Sequence, residues 1–432
     1  METITKISLK DKLIGQYELT KPSFVADAAI REMAINAFAE QGLPGRKHEG
    51  YKYLNFELIL KGDYSFSHSP SLAVQQIQSL YLLKDAYVAV FVNGQFNSNW
   101  SKLNDLPKGL TICSLTEAFE KHKTIVEQHY AKHADVNADN FIALNTALAN
   151  DGCFVHVTKG TIIEKPIHLL YISSATENLI LNTRNLVVVE ENAQVKIVES
   201  FEVKDLTSKV VTNASSEIVV MSNAIVDHYK VQNESEQSVL INTTQVYQEK
   251  QSVFSTVNFT LNGGVVRNNL NIVLGGEYIE SHLNGLYLTK NNQQVDNHTL
   301  VDHRMPNCNS NELYKGIIDD KSVATFNGKI YVRKDAQKTN AFQSNKNILL
   351  SDDGTINTKP QLEIYADDVK CSHGTSTGKL DEDQVFYLRA RGLSEASAKK
   401  LLMHAFASEV VSTVKIDELR NYLEAEISAR FE

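Results

Sequence analysis

The feature that most constrains the fold is a long stretch in which the hydrophobic period is close to two. From about residue 151, short runs rich in Val, Ile, Leu and Thr alternate with polar turns, and no proline occurs between Pro166 and Pro306. In segments such as STVNFTLNGG and NNLNIVLGGEY, apolar and polar residues alternate, which is typical of strands with one buried face. The sequence therefore predicts an all-β region over residues 151–380.

Two architectures can accommodate so many short strands. One is a sandwich or barrel, and the other is a β-solenoid whose coils stack on one another. The strands recur without a sharp sequence period, so periodicity alone leaves both open. The length of about 230 residues favours the solenoid, because a sandwich typically has about 100 residues whereas a solenoid grows by adding coils.

On the amino-terminal side the pattern is helical. Residues 1–150 predict a helix-rich domain in which YVAVFVNG forms a short buried strand. The clearest helix begins after a cap at Ser23 and ends at Gly42. Its apolar stripe is predicted to contain Ile30, Met33, Ala34, Ala37 and Phe38.

Residues 381–432 return to a helical period. One helix ends at Gly392, and the next begins at the cap residue Ser394. This second helix has apolar residues around nearly its whole circumference, including Leu401, Leu402 and Phe406, so it should be buried on more than one side. Two interpretations stay open: a helical cap packed on the end of the β core, or a surface that awaits a partner chain.

Charge and cysteine content exclude several classes of protein. Lys and Arg number 43 and Asp and Glu 52, giving a net charge of −9, which disfavours binding to nucleic acid or to an anionic membrane. No segment approaches the roughly 18 apolar residues of a membrane span, and the amino terminus lacks the apolar core of a secretory signal. Four widely spaced cysteines without C-x-x-C indicate free thiols. We expect a soluble protein of the reducing cytoplasm.

Several linear motifs of common enzyme classes are absent from the sequence. It contains no G-x-x-x-x-G-K-[ST] phosphate loop and no G-x-G-x-x-G after a strand, so the chain is not expected to hydrolyse ATP itself. It also lacks G-x-S-x-G and H-E-x-x-H. Carboxylate pairs of the glycosidase type leave no linear signature. A β-helix enzyme that acts on polysaccharide therefore stays an alternative.

The most informative polar run is VKCSHGTSTG, residues 369–378. In a strand, Cys371 and His373 lie on the same face, and a thiolate beside an imidazole can bind iron or zinc. Two ligands do not complete a site, so the others must come from elsewhere in the chain or from a second chain, unless the pair is merely structural. Upstream, His298, His303 and Cys308 are spaced five residues apart and would not share one face of a strand.

Two parts of the sequence resemble the SufB/SufD family of iron–sulfur cluster assembly proteins. The run NHTLVDH and the residues from ELYKGIIDDKS to SAKKLL carry most of the likeness. Near the start, GLPGRKHEGYKYLNF is similar to the family signature G-x-P-x-R-K-x-E-x-W-K-Y-T, with Tyr51 in place of tryptophan and Leu54 in place of threonine. Within the family, C-S-H-G resembles the SufD branch, whereas SufB usually carries an E-H-E-A-like run.

The resemblance implies a mainly β fold with helical ends. A right-handed parallel β-helix core over residues 151–380 would lie between an amino-terminal helix-rich domain, residues 1–150, and a carboxyl-terminal helical domain, residues 381–432. Family members form a complex of one SufB, one SufD and two copies of the ABC-type ATPase SufC, which binds the ATP. SufC docks on the carboxyl-terminal helices, here through Leu401, Leu402 and Phe406.

The resemblance also implies a role for the C-S-H-G run. In this family the SufB–SufD contact runs along the ends of the two β-helices, so His373 and Cys371 would face a SufB-like paralogue near a nascent iron–sulfur cluster. The chain would then be a non-catalytic scaffold subunit whose two metal ligands are completed by its partner. A homodimer that binds metal through two copies of the Cys371 and His373 face is an alternative. The residues make no prediction about a flavin.

Overall fold

The computed structural model of the chain describes residues 8–21, 27–67, 72, 74–203 and 207–431. Its helices are α1 Leu9–Thr20, α2 Ala28–Gln41, α3 Phe56–Ile59, α4 Val74–Gln78, α5 Leu115–Lys121, α6 Lys123–His129, α7 Asn140–Leu148, α8 Glu382–Ala390, α9 Glu395–Val411 and α10 Asp417–Arg430. Helices therefore occupy the two ends of the chain, as the sequence predicts.

Strands occupy the middle of the chain and part of its amino-terminal region. They are β1 Tyr87–Val92, β2 Gln95–Phe96, β3 Leu110–Ser114, β4 Cys153–Val157, β5 Ile167–Ser173, β6 Leu179–Val189, β7 Gln194–Val203, β8 Val210–Val220, β9 Ile225–Asn233, β10 Ser238–Gln248, β11 Val253–Asn262, β12 Val265–Leu274, β13 Glu280–Thr289, β14 Gln294–His303, β15 Asn309–Ile318, β16 Val323–Val332, β17 Thr339–Leu349, β18 Thr355–Ile364 and β19 Val369–Gly378. The segment YVAVFVNG contains β1, which confirms the predicted strand.

The strands form two sheets. One has the order β19-β17-β15-β13-β11-β9-β7-β5-β1-β2, and the other β18-β16-β14-β12-β10-β8-β6-β4-β3. From β4 onward, successive strands alternate between the sheets, and each pairs in parallel with the strand two places along the chain. This arrangement is a parallel β-solenoid of about eight turns, each with one strand in each sheet. The prediction of a solenoid is confirmed.

The coils differ in length, which explains why the sequence has no clean repeat. Val239 pairs with Val265, 26 residues further along the chain, whereas Val323 pairs with Thr355, 32 residues further along. Strand pairing keeps the coils aligned in space, and the turns between strands absorb the differences in length. A fixed period therefore does not arise in the sequence.

The amino-terminal region closes the first coil. Strand β1 adds to β5 in parallel, and β3 adds to β4 in antiparallel orientation. Helices α2 and α7 pack over the outer face of the nine-stranded sheet, where Phe38 and Phe141 belong to the same buried cluster as Val211 and Ile241. The region thus contributes strands to both sheets, and the domain boundaries at residues 150 and 380 stay a prediction.

Helix α2 follows its predicted pattern only in part. Ser23 lies outside the described residues, and the cap is Asp27, whose side chain accepts a hydrogen bond from the backbone of Ala29. Met33, predicted for the buried stripe, is 51% exposed. Arg31 is buried instead because its Nε donates to the carbonyl of Ala147, 2.9 Å away. The predicted stop is confirmed, since Gly42 has a positive φ of 68°.

The carboxyl-terminal helices lie along the side of the solenoid. Residues of α9 and α10, among them Val410 and Leu423, form one buried cluster with Phe259 and Leu286 on the outer face of the ten-stranded sheet. The interpretation of a helical cap on the end of the β core is therefore wrong. The end strand β19 stays largely exposed, and β18 is partly exposed along its length. The predicted helix start is confirmed, because the Ser394 side chain accepts from the backbone of Ser397.

Candidate functional site

The candidate site is the open end of the solenoid, formed by β18 and β19. Each is the outermost strand of its sheet and pairs on one side only within the described residues, β18 with β16 and β19 with β17. Both are ten residues long, and β19 is exposed over most of its length. The outer edges of both strands therefore present backbone N–H and C=O groups to solvent.

Cys371 and His373 lie on β19, as the sequence predicts for residues of one strand face. Cys371 is half-buried and contacts a small apolar cluster that includes Val332 and Ala341, so its side chain faces the interior of the last coil. His373, two residues further along, is on the same face but exposed at the open end. Burial raises the pKa of the Cys371 thiol, although a hydrogen bond with the backbone of Ala341 opposes this effect. In the free chain this cysteine is therefore protonated at neutral pH.

Within the described residues, a metal ion at Cys371 and His373 would find an incomplete ligand set. Among the described residues, no group of three or more His, Cys, Asp or Glu side chains is arranged to hold a metal. Imidazole and thiol are suitable donors for iron, but sites for such metals use about four ligands. The Cys371 and His373 face can therefore supply at most part of a site.

The upstream cysteine and histidines point in different directions, as their spacing predicts. His298 faces outward, and its Nε2 lies 2.9 Å from Oδ1 of Asp296. His303 is fully buried, and its Nε2 lies 2.9 Å from Oγ of Ser310. Cys308 is buried in the apolar core of the solenoid. These side chains serve the packing of their own coils.

Two residues behind His373 were not found by sequence reasoning. Gln343 pairs with His373 across β17 and β19, and Glu312 pairs with Gln343 across β15 and β17. Gln343 Nε2 donates to Glu312 Oε2 over 2.6 Å, and both residues are buried. Burial raises the pKa of the Glu312 carboxyl to about 7. The available signal was alternation on β17, which places polar side chains at inward positions where apolar ones are usual.

The interior also holds a buried ion cluster in the middle coils. Lys230 Nζ lies 3.1 Å from Glu199 Oε2 and donates to Oδ1 of Asn242 over 2.8 Å. Burial alone would raise the pKa of Glu199, but Lys230 and His228 outweigh it and hold that pKa well below its usual range. The cluster is enclosed on all sides, so it satisfies its own charges and is not accessible to a substrate.

Helices α8 and α9 carry the apolar surface in which ATPase docking was predicted. Leu401 is 49% exposed and Leu402 is partly buried, whereas Phe406 packs against the ten-stranded sheet. Lys315 Nζ lies 4.0 Å from the centroid of the Phe406 ring and donates to the Phe406 carbonyl over 2.7 Å. It also forms an ion pair of 2.6 Å with Glu409. Phe406 therefore anchors α9, and Leu401 is the most exposed of the three.

A cleft lies beside this surface, between α8, α9 and the ends of β15 and β17. Its volume is about 550 Å³, and its apolar lining includes Leu350, Leu380 and Met403. At its edge, Phe386 is 71% exposed, and the next residue, Tyr387, is 57% exposed. Large apolar side chains clustered at the surface are typical of a protein contact.

A second cleft, of about 540 Å³, lies over the outer face of the nine-stranded sheet. Its carboxylates are engaged: Asp139 accepts from the hydroxyl of Tyr51 over 2.5 Å, and Asp302 accepts from Nε of Arg304 and Arg333 over 2.7 and 2.8 Å. Burial opposes ionisation of Asp302, but Arg333 and Arg304 hold its pKa below the ordinary value. Asp302 is therefore a poor proton donor.

In the part of the chain that the structure describes, no helix is both long enough and apolar enough to span a membrane.

Comparisons with known proteins agree with the fold and with the resemblance of the motifs. Residues 171–406 match the family model described as "SUF system FeS cluster assembly, SufBD core domain", and residues 16–169 match "SufBD protein N-terminal region". An iron–sulfur cluster assembly SufBD family protein of Synechocystis is 33% identical over 93% of this chain and 90% of its own length. The SufD of Escherichia coli is 31% identical over 90% of this chain and 89% of its own, and that of Bacillus subtilis is 26% identical over 92% of each.

Proposed function

The chain belongs to the SufB/SufD family of iron–sulfur cluster assembly proteins, and from this premise we propose that it is the SufD-like scaffold subunit of a SufBCD-type complex. In this proposal it performs no catalysis itself. It pairs with a SufB-like paralogue at the open end of the solenoid and with a SufC-like ABC ATPase at its carboxyl-terminal helices. The nascent cluster is the cargo, shared transiently with the paralogue.

The observation that carries the proposal is the open end formed by β18 and β19. An exposed edge strand can pair with a strand of another chain through its backbone hydrogen bonds. Edges of ten residues are long, and natural proteins usually shorten or cover such edges to avoid aggregation. A partner with the same solenoid architecture would match the spacing of both edges at once.

His373 and Cys371 then lie at the contact between the two chains. One exposed imidazole and one half-buried thiol provide two donors, and the paralogue would provide the others. Because burial raises the pKa of Cys371, the thiol would lose its proton only when a metal ion or a positive partner residue approaches it. We assign His373 the role of ligand or proton acceptor, and Cys371 that of adjacent ligand or contact residue.

The ATPase would act through the carboxyl-terminal helices. Leu401, Phe386 and Tyr387 offer exposed apolar area for docking, with Leu402 partly exposed beside them. Phe406 connects this surface to Lys315 on β15, two strands from the open edge of the same sheet. When SufC binds ATP, a shift of α9 would move the last coils of the solenoid. The ATPase would thereby change the fraction of complexes in which this chain and the SufB-like chain are assembled.

The free thiols support a proposal for the compartment. The four cysteines are free in the described part of the chain, which suits a reducing environment. We therefore propose that the complex acts in the cytoplasm.

The site is tested by co-expressing the chain with SufB-like and SufC-like proteins, purifying the complex and loading it anaerobically with iron and sulfide. We expect His373→Ala to lose most of the cluster yield while the three chains still co-purify. His282→Ala is the matched control, since His282 is a partly exposed strand histidine that lies on β13, away from the open end. If His373→Ala leaves both complex formation and cluster yield unchanged, the assigned role is wrong. A stable homodimer that binds iron without the paralogue would favour the homodimer alternative.

The docking surface needs a separate test, because deleting residues 381–432 would also uncover the apolar face of the ten-stranded sheet. Leu401→Asp is expected to release the SufC-like ATPase and to leave the SufB-like chain bound. Leu19→Asp is the matched control, because Leu19 is 79% exposed on α1. Retention of the ATPase by the Leu401→Asp protein would contradict docking at this residue.

A further inference from the structure

A column of polar side chains leads from the interior of the solenoid to His373. The column contains one residue from each of three successive coils: Glu312 on β15, Gln343 on β17 and His373 on β19. All three face inward, because inward positions on β17 and β19 include Ala341 and Cys371, which share one apolar cluster. Glu312 and Gln343 are 5% and 3% exposed, and only His373 reaches the surface.

The amide of Gln343 is held in one orientation. Its Nε2 donates to Glu312 Oε2 over 2.6 Å. It also occupies the space above Gly328 on β16, where any Cβ would lie 2.1 Å from that nitrogen. The ionised form of Glu312 can only accept hydrogen bonds, so with that form the NH₂ group of the amide faces Glu312 and the amide oxygen faces away from it.

The amide oxygen of Gln343 lacks a hydrogen-bond partner within the described part of the chain. Gln343 Oε1 is buried and has no hydrogen-bond partner among the described residues. A buried acceptor without a donor is unfavourable, and such atoms are rare in folded proteins. The next side chain in the column is His373, on a paired strand about 4.8 Å away. An imidazole N–H at that position can donate to Gln343 Oε1.

We propose that Gln343 and Glu312 are positioning residues for His373. Gln343 Oε1 accepts a hydrogen bond from one ring nitrogen of His373, and this bond leaves the other ring nitrogen unprotonated and directed out of the open end. Glu312 holds the amide in place. The proposal rests on the function proposed above, because the free ring nitrogen is the atom that would meet the partner chain or its cargo. Histidines that bind metals are commonly oriented by a hydrogen bond at their second nitrogen.

Burial of Glu312 fits this role. Its pKa is raised to about 7 by desolvation, so around neutral pH the carboxyl passes between two forms that both accept the amide hydrogen bond. The ionised form places a negative charge two side chains from His373 and would favour a cation bound at the open end. Covering of the open end by a partner would exclude water and strengthen these interactions.

The test measures the tautomer of His373 directly in the full-length chain. The protein is labelled with ¹⁵N-histidine, and the ring nitrogens are observed by NMR at pH 8, where a free imidazole is neutral. The His373 signals are assigned from their loss in His373→Ala. In the wild-type protein we expect one tautomer to be enriched at least about threefold relative to Gln343→Met, which lacks the acceptor. Gln343→Glu retains an acceptor and should retain the enrichment.

The matched control is Asn345→Leu. Asn345 is also buried and inward on β17, but it pairs with Thr375 and its amide donates to Tyr287. This variant should leave the tautomer of His373 unchanged. If Gln343→Met does not fold, as judged by circular dichroism, Gln343→Ala replaces it, with the same expectation. Equal tautomer populations in the wild type and in the folded acceptor-lacking variant would overturn the proposal.

A second readout separates this proposal from the proposed function. In the complex with SufB-like and SufC-like chains, Gln343→Met should lower the cluster yield about tenfold, the usual effect of losing such an orienting bond. The three chains should still co-purify. If His373→Ala abolishes the yield but Gln343→Met changes neither yield nor tautomer, only the positioning role is wrong. If His373→Ala has no effect on yield, the proposed function fails, whatever the tautomer measurement shows.

Discussion

The first and last coils of the solenoid both place a cysteine on the inward face of a strand, yet the two thiols have different surroundings. Cys153 on β4 is fully buried in the main apolar cluster, and burial raises its pKa well above the ordinary value. Cys371 on β19 is half-buried beside a small cluster at the open end. The same strand geometry thus gives an inert packing residue in one place and an accessible thiol in the other.

The difference lies in what covers each end. The chain closes its first coil with its own strands, since β1 and β3 extend the two sheets and are almost entirely buried. At the last coil the chain provides no further strand within the described residues, and the interior becomes polar through Glu312 and Gln343. A solenoid needs a cap at each end, so an end that the chain leaves open is where another molecule is expected.

The largest expected effect compares isoleucines at the two ends. Ile167 is inward on β5 and fully buried, whereas Ile364 is inward on β18 and 39% exposed. Ile167→Ala should lower the free energy of unfolding by about 4 kcal/mol, and Ile364→Ala by about 1 kcal/mol, because the second side chain is already partly in water. Denaturant unfolding of the isolated chain measures both. Equal losses would mean that the last coil is as well covered as the first.

The next effect concerns the polar interior near the open end. The pKa of Glu312 is about 7 in the folded chain, above the value of 4.5 for an ordinary glutamate. Between these two pH values the unfolded chain releases a proton that the folded chain keeps, so stability is lost as pH rises through this window. Glu312→Gln removes this loss. Relative to wild type, the variant should gain on the order of 3 kcal/mol between pH 4.5 and pH 8.

Thermal unfolding of both proteins across this pH range checks the prediction. Glu164→Gln is the control, since Glu164 is exposed and should show no such trend. A constant difference in stability between the Glu312→Gln protein and wild type at every pH would contradict a buried, protonated carboxyl at this position.

The third effect sharpens the comparison of the two thiols. Cys371 should react with iodoacetamide about 100-fold faster than Cys153 in the native chain, equivalent to about 2.7 kcal/mol, because Cys153 becomes accessible only when its coil opens. Mass spectrometry of peptides from briefly labelled protein measures each rate. Cys308, buried in the same core as Cys153, is the internal control. Similar rates for Cys371 and Cys153 would show that the last coil is closed in solution.

Much of the local structure was predictable from the sequence. Hydrophobic periods separated the helical ends from the β region, and the cap at Ser394 and the stop at Gly42 were placed correctly because both depend on neighbouring residues. Burial of Met33 was wrongly predicted, and burial of Arg31 was not foreseen, because Arg31 donates a hydrogen bond to Ala147, which is distant in sequence. A local hydrophobic pattern cannot predict a hydrogen bond to a residue that is close only in the folded chain.

The candidate site was also predictable only in part. Strand alternation placed Cys371 and His373 on one face, and the C-S-H-G motif drew attention to them. Gln343 and Glu312 were not recognised, because their relation to His373 depends on pairing across coils whose lengths vary. A polar residue at an inward position looks, in sequence alone, like one that faces solvent.

By itself, the sequence determined the alternation of apolar residues, the helix ends, the four unpaired cysteines and the family motifs. Each of these depends on residues within a few positions of one another. Only the tertiary structure decided that α9 and α10 lie along the side of the solenoid, that β18 and β19 keep open edges, and that Glu312, Gln343 and His373 form one column. These features arise from contacts between residues about 30 or more positions apart, at spacings that change from coil to coil.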